Sequence, residues 1–389
     1  MEKDYSERVC ICALNRLLGF DPKVSHSLIG GAGSARALFE MTPDEKLAAF
    51  GPYSRITPLL EERELKRSKE ELERLEDIGC GFITLTDPGY PALLLECEDA
   101  PLGLYYRGAS PPETVFNLHP QIAVVGTRDI SLYGKEWCRK IVGAMAYAKN
   151  KPLIVSGFAL GTDITAHLAA MEAGLPTVAV LPTGIDDVYP SRHRGIAARL
   201  AATEGCAIVT DYPPCTEPKA INFIRRNRII AGISSGTILI ESKAKGGGMI
   251  TARLAASYDR DVMVLPGRAD DPRSQGCNEL LREKLAEPVT DTVHFLDILG
   301  LGSPGRRKAA DFEEEVRARY ASVLPPEELA DLMTVAGVIR RSRGITLDGI
   351  CPEACLPYGA VARYAGMLES DGLISTDMLQ RCSINVKIV

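Results

Sequence analysis

Residues 121–156 read QIAVVGTRDISLYGKEWCRKIVGAMAYAKNKPLIVS, a β-branched apolar run, an amphipathic stretch and a second β-branched run. Between the two runs, Tyr133, Trp137, Ile141 and Met145 recur at the spacing of one helical face. A strand, a helix and a second strand in this order form a βαβ unit, whose two strands are parallel. The stretch therefore predicts the beginning of a parallel sheet that is covered by helices.

The same alternation continues as far as residue 265. Short apolar runs begin at intervals of roughly 30 residues, the length of a βαβ unit. They start at Ile122, Leu153, Thr177, Ala207, Thr237 and Val262. Each run is apolar on both faces, as strands between two helical layers are. Right-handed crossovers then predict an α/β fold with a Rossmann-like, doubly wound, mainly parallel sheet.

The character of the chain changes on both sides of this region. Residues 1–78 carry helical apolar stripes and predict an N-terminal helical domain of the SAM or helix-hairpin-helix kind. A central domain is predicted at 79–298, followed by a Gly-, Pro- and Arg-containing linker at 299–310. Residues 311–389 show helical stretches and then a hairpin whose second strand is Ser383–Ile388, which predicts a C-terminal winged-helix domain.

Composition limits the classes of protein that this chain can be. With 46% hydrophobic and 25% charged residues among 389, it is not a mostly disordered chain. Its formal net charge of −6 means that a polyanion would need a local basic patch. No apolar stretch approaches the roughly 18 residues of a membrane span, and no signal-peptide core is present, which predicts a cytoplasmic protein without membrane association. The 11 cysteines and five histidines lack ligand spacing, so we expect reduced thiols and neither metal nor cofactor.

Glycine-containing loops follow three of the predicted strands, at Gly126–Arg128, Ser156–Asp163 and Lys243–Gly248. Ligands of open α/β sheets bind beyond the carboxyl ends of the strands, where backbone N–H groups and helix N-termini attract anions. We therefore predict an anion-binding edge. Its residues are Gly126, Thr127, Arg128, Ser156, Gly157, Lys245, Gly246 and Gly247.

The segment Lys219–Arg228 holds four cations and no acid. Phe223 offers a stacking face beside Arg226 and Arg228, the combination with which proteins bind single-stranded nucleic acid. A solvated charge run is the alternative interpretation, and the isoleucines on both sides argue against full solvation. Evidence for catalysis is weak, because no nucleophile–base or GxxxxGK[ST] motif occurs. His167, four residues after Asp163, could be an oriented base, but such a histidine more often packs or caps.

Several motifs together resemble the DNA-processing protein A family, also called DprA or Smf. They include Val125–Arg128, Ile154–Gly157, Asp211–Pro214 and Arg226–Gly232, and the resemblance covers about residues 80–295. It implies a non-catalytic protein that binds single-stranded DNA through an extended Rossmann-like domain, forms a homodimer and loads RecA recombinase on incoming strands during natural transformation.

The resemblance also implies particular DNA contacts. Carried over by matching position, these are Arg128, Ser156, Gly157, Arg226, Asn227, Arg228 and Lys245. The chain departs from the family pattern at Leu160, where a basic residue is usual, and at Ile224, which replaces a proline. Gly246 and Gly248 replace serines. These departures imply altered or weaker DNA binding and an undisturbed fold.

The alternative function is a Rossmann-like enzyme or sensor for a nucleotide. Proteins of that kind cleave nucleoside monophosphates with a P-G-G-x-G-T-x-x-E loop. The nearest stretch here, Ser235–Glu241, lacks P-G-G and places Glu241 one residue late, on the opposite face of a strand. In the tail, the predicted third helix Pro357–Ser370 carries only Arg363 and Glu369 as charged residues, which favours protein contact over duplex recognition.

Overall fold

The computed structural model describes residues 5–302, 312–342, 344–377 and 380–384. The chain forms two compact units, Met1–Ser303 and Pro304–Val389. The predicted linker residues 303–310 lie outside the described residues, as do residues 385–388 of the last predicted strand.

The first unit begins with a group of helices. They are α1 Glu7–Leu18, α2 Pro22–Ala32, α3 Ala35–Glu40, α4 Pro43–Phe50 and α5 Glu62–Asp77, with a 3₁₀ turn at Thr57–Leu59. Local sequence fixes several of their starts, because a side chain satisfies a free backbone N–H there. The Ser34 hydroxyl accepts from the Ala37 N–H, and Thr42 and Glu45 form a reciprocal capping box.

The sheet follows these helices. Its strands are β1 Gly81–Thr84, β2 Gly103–Gly108, β3 Gln121–Val125, β4 Leu153–Ser156, β5 Thr177–Val180, β6 Ala207–Thr210, β7 Gly236–Leu239, β8 Asp261–Val264 and β9 Glu287–Pro288. They lie in the order β1-β2-β6-β5-β4-β3-β7-β8-β9. Neighbouring strands along the stretch β6-β5-β4-β3-β7-β8-β9 all pair in parallel, which confirms the predicted α/β fold with a mainly parallel sheet. The strands β1 and β2 add an antiparallel edge that the sequence did not predict.

Helices connect the strands and cover both faces of the sheet. They are α6 Ala92–Leu95, α7 Pro112–Asn117, α8 Leu132–Met145, α9 Thr162–Glu172, α10 Arg194–Ala201, α11 Ala220–Ile233, α12 Gly247–Ser257, α13 Gln275–Arg282 and α14 His294–Ile298, with a 3₁₀ turn at Ser191–His193. Alternate residues of β3 belong to different cores. Val124 shares an apolar cluster with Ile141 of α8, whereas Val125 shares one with Ile229 of α11.

The strand order places a switch point at β3, because the chain leaves this strand toward β4 on one side and reaches β7 on the other. The loops after β3 and β7 therefore start side by side, which is where doubly wound sheets hold their ligands. On the other half of the sheet, Leu14 of α1 and Ile208 of β6 belong to one buried cluster. The N-terminal helices thus share a core with the sheet, and the domain boundaries at 78, 298 and 310 stay predictions.

The second unit combines helices with three short strands in the part that the structure describes. Its elements are α15 Phe312–Tyr320, α16 Pro326–Arg341, β10 Ile345–Thr346, α17 Leu347–Ala354, α18 Tyr358–Ser370, β11 Ile374–Thr376 and β12 Arg381–Ile384. The short strands pair antiparallel in the order β10-β12-β11. Leu332, Val361 and Leu368 lie in its core. The winged-helix assignment of this unit stays a prediction.

The described helices include none with the length and apolar character that crossing a bilayer requires. In the same residues, no three or more His, Cys, Asp or Glu side chains are grouped so that they could hold a metal ion.

Candidate nucleic-acid interface

The loops after β3, β4 and β7 are in backbone contact at one edge of the sheet, which we call the loop edge. A Cβ atom on Gly126 would lie 2.5 Å from Oγ1 of Thr162, and one on Gly248 would lie 3.1 Å from Cα of Gly126. Gly161 has a φ of +76°, and its Cβ would lie 2.4 Å from the carbonyl oxygen of Thr127. Glycine is needed at these positions because the three loops approach so closely.

Hydrogen bonds hold the β3 loop in place. The Thr127 N–H donates to the carbonyl oxygen of Glu241 at 2.7 Å, and the Thr162 N–H donates to the carbonyl oxygen of Thr127 at 3.1 Å. The Thr162 hydroxyl donates to the same Thr127 oxygen at 3.2 Å. The loop is thus tied to its neighbours on both sides, and the next residue, Arg128, points from a fixed backbone into solvent.

Arg128 lies on an aromatic surface. Its guanidinium carbon is 4.6 Å from the ring centroid of Phe223, which is a cation–π distance. The Phe223 ring meets Tyr189 edge to face, with centroids 5.5 Å apart, and Tyr189 is 40% exposed. We call these three residues the arginine–aromatic stack. It presents a positive charge and ring surfaces together at the loop edge.

The loop after β7 adds further positive potential. Lys243 and Lys245 are exposed, and Gly246 is the N-cap of α12, whose first residue Gly247 is also exposed. Free backbone N–H groups and the helix dipole make such a helix start attractive to anions. The Asn227 side-chain amide donates to the carbonyl oxygen of Gly247 at 3.4 Å, so this predicted site residue positions the helix start.

Arg226 is buried beneath the loop edge, with an exposed fraction of 3%. Its Nη1 donates to the carbonyl oxygens of Gly157, at 2.5 Å, and Val180. Burial lowers the pKa of Arg226 to about 10, against the opposing effect of the Asp163 carboxyl, and the nearby charge of Arg128 lowers it further. The guanidinium is therefore still charged at neutral pH but is enclosed by protein.

Arg228 and Ser156 are also enclosed. Arg228 donates to Oδ2 of Asp211 at 2.5 Å and to the carbonyl oxygen of Asp99. Burial raises the pKa of Asp211, and the Arg228 charge opposes that rise. The Ser156 hydroxyl donates to the carbonyl oxygen of Val124 at 2.6 Å. In this conformation Arg226, Arg228 and Ser156 support the loop edge from below, which differs from the direct DNA contacts predicted for them.

The predicted site residues therefore fall into two groups. Arg128, Lys245 and Gly247 are exposed, and Gly126, Thr127, Phe223 and Gly246 are half-buried, so these seven form the accessible surface. Ser156, Gly157, Arg226, Asn227 and Arg228 lie behind it. Sequence reasoning did not find Tyr189, Lys243 or Arg225 as site residues. Arg225 lies within the basic segment that drew attention to its neighbours. The contact of Tyr189 with Phe223 joins residues that are remote in sequence, so no local pattern shows it.

The residues of the alternative, hydrolytic interpretation hold the fold together. The Glu241 carboxylate is 2% exposed and accepts from the Ser131 N–H at 2.9 Å and the Ser131 hydroxyl at 2.5 Å, at the start of α8. The His167 ring is fully buried, with Nδ1 2.7 Å from the Thr177 hydroxyl, and burial lowers its pKa to about 3. This placement does not favour either side chain as a base for a nucleotide at the loop edge.

Comparison with known proteins gives consistent matches. Residues 81–300 match the family described as DNA recombination-mediator protein A. Protein Smf of Synechocystis sp. is 31% identical over 354 residues, which cover 85% of this chain and 87% of that protein. Protein Smf of Escherichia coli is 37% identical over 214 residues, covering 55% of each chain. The X-ray structure of DNA processing protein A from Streptococcus pneumoniae superposes with a TM-score of 0.55 at 32% identity, covering 61% of this chain and 80% of that one.

Proposed function

Because the chain belongs to the DNA recombination-mediator protein A family, we propose that it binds single-stranded DNA along the loop edge and delivers the strand to RecA recombinase. The observation that carries this proposal is the arginine–aromatic stack of Arg128, Phe223 and Tyr189 at the switch point of the sheet. Phosphates pair with the guanidinium, and unstacked bases pack on the rings. Sequence-independent binding follows, since every base has a ring face.

The local charge supports a polyanion at this edge although the whole chain has a net charge of −6. Arg128, Lys243 and Lys245 are exposed there. The acid next to Arg128, Asp129, forms an ion pair with Arg273 at 2.9 Å, so its charge is compensated. A single strand gains more than a duplex at such a surface, because its bases are free to leave the stack and reach the rings.

Fluorescence anisotropy with a labelled single strand and the matching duplex, at several salt concentrations, tests the proposal. We expect tighter binding of the single strand. Arg128→Ala and Lys245→Ala should each reduce the slope of log K against log[salt] by about 0.7, the value for one phosphate contact on a single strand. Phe223→Ala should weaken binding by about 1–3 kcal/mol with the slope unchanged, because it removes stacking and no charge.

Arg199→Ala is the matched control for the loss of an exposed arginine. Arg199 lies on α10 and contacts Met171, near the end of α9. Because α9 leads into the amino end of β5, this contact lies at the edge of the sheet opposite the loop edge. This variant should bind as the unchanged protein does. Equal affinity for single strand and duplex, or a salt slope that Arg128→Ala leaves unchanged, would contradict the proposal.

The family resemblance further supports a cytoplasmic homodimer with RecA as its partner. For the winged-helix tail we propose contact with protein rather than duplex DNA, because the predicted third helix Pro357–Ser370 carries only two charged residues. Sedimentation velocity should give the mass of two chains. RecA filament assembly on a single strand should be accelerated by the protein, and Arg128→Ala should lose this acceleration in proportion to its lost DNA affinity. Acceleration that persists in a variant unable to bind DNA would separate the two activities and contradict the proposed delivery.

A further inference from the structure

The first turns of α11 expose an apolar face beside the arginine–aromatic stack. Ile221 is 48% exposed and Ile224 is 47% exposed. With about 3.6 residues per turn, Phe223, Ile224, Ile221 and Arg225 follow one another around the helix. The two isoleucines therefore form a continuous surface that leads from Phe223, in the stack, to Arg225.

A second arginine–aromatic pair lies at the far side of that surface. The exposed Arg225 guanidinium is 6.0 Å from the ring centroid of Phe20, within the cation–π range. Phe20 lies in the turn between α1 and α2 and is 61% exposed. A large aromatic side chain this exposed covers no core, and with Arg225 it repeats the composition of the stack across the isoleucines.

We propose that Phe20 and Arg225 form a second stacking position for single-stranded DNA, so that the bound strand crosses the start of α11 over Ile221 and Ile224. This inference rests on the proposed binding of single-stranded DNA at the loop edge. Charge complementarity favours a polynucleotide over an apolar protein segment as the occupant, because exposed cations, Arg128 and Arg225, accompany the aromatic rings at both ends. The N-terminal helices then contribute directly to the length of strand that is held.

Oligonucleotides of graded length distinguish the two positions. Oligothymidylates from about 4 to about 16 nucleotides span the range of site sizes of single-strand binders. Phe20→Ala should bind the shortest ones as the unchanged protein does and should lose about 5-fold or more in affinity for the longest, as expected for one lost base–aromatic contact. Phe20→Tyr retains the ring and should restore the affinity.

Phe223→Ala is the comparison variant, and it should weaken binding at every length. Oligonucleotides with one 5-iodouracil should, on irradiation, crosslink to Phe20 only when they are long enough to reach it. Full affinity of Phe20→Ala at all lengths, with Phe223→Ala impaired, would overturn the second position and leave the proposed function standing. Equal loss for Phe20→Ala at every length would also overturn it. If the unchanged protein binds no single strand, both proposals fail together.

Discussion

Arg228→Ala is expected to destabilise the first unit and to leave the salt dependence of DNA binding unchanged. The side chains of Arg228 and Asp211 are 11% and 5% exposed, and they share a hydrogen bond of 2.5 Å. Removing the guanidinium leaves the Asp211 carboxyl buried without its cation, and breaking a buried pair in this way costs about 3–5 kcal/mol. Because burial already raises the pKa of Asp211, uptake of a proton by this carboxyl limits the cost.

Urea unfolding followed by tryptophan fluorescence measures this loss. The chain has one tryptophan, Trp137, and it lies on α8, so the signal reports on the first unit alone. A double variant, Arg228→Met with Asp211→Leu, should recover most of the stability, since replacing both partners leaves no unpaired charge. Arg128→Ala is the opposite case, because its exposed side chain should change the unfolding free energy by no more than about 0.5 kcal/mol.

Anisotropy titrations on the same variants complete the test. Arg128→Ala should lower the salt slope by about 0.7, and Arg228→Ala should leave it unchanged when measured at a temperature where the variant is folded. The reasoning is refuted if Arg228→Ala keeps the unfolding midpoint of the unchanged protein and loses the same slope as Arg128→Ala. That result would mean that the Arg228 guanidinium contacts a phosphate.

Three further predictions concern buried groups. The pKa of His167 falls from 6.5 to about 3 on folding, so between these pH values the unfolded chain binds one proton more than the folded chain. The free energy of unfolding should therefore decline as the pH falls through this range, by up to about 1.4 kcal/mol per pH unit. His167→Asn should show a shallower decline in urea titrations, and a decline as steep as that of the unchanged protein would contradict the lowered pKa. Glu241→Ala should cost about 1–3 kcal/mol of stability, because the N–H and the hydroxyl of Ser131 lose their acceptor. The unchanged protein should release no free base from nucleoside monophosphates. If it does release free base, and Glu241→Ala abolishes this activity, the hydrolase interpretation is favoured instead. Gly157→Ala would place a Cβ atom 2.5 Å from the Arg226 guanidinium and should lower the free energy of unfolding by about 1–3 kcal/mol, which thermal unfolding measures. An unchanged midpoint of thermal unfolding would show that the guanidinium can move aside.

The sequence predicted the parallel strands well because each is a continuous apolar run between polar turns. All six predicted runs, from Ile122–Val125 to Val262–Leu265, lie within one residue of the observed strands at each end. The antiparallel edge was missed because β2 pairs with β6, which follows it in the chain only after β3, β4 and β5. Strand pairing over such a sequence distance leaves no local pattern in the residues that form it.

The structure brings the predicted site residues together at one edge of the sheet and buries several of them. Glycines after strands indicate where a backbone is approached closely, and this signal located Gly126 and Gly157. A cluster of arginines is ordinarily exposed, so the sequence analysis interpreted Arg226 and Arg228 as cations that contact DNA. Only burial separates Arg225, which is exposed, from Arg226 and Arg228, which are not. The isoleucines around them were the available sign that part of the segment faces the core.

The enclosed guanidinium of Arg226 has a consequence for how this surface behaves in concentrated electrolyte. Mobile counter-ions screen the charges of the exposed Arg128 and Lys245 within a Debye length of about 8 Å at physiological ionic strength, and more strongly at higher salt concentration. They cannot approach a cation that protein atoms surround, and with a pKa of about 10 this one keeps its proton at neutral pH. High salt therefore weakens the attraction of Arg128 and Lys245 for an anion, whereas the hydrogen bonds of Arg226 to the carbonyl oxygens of Gly157 and Val180 are screened far less, so the support beneath the loops outlasts their surface charge.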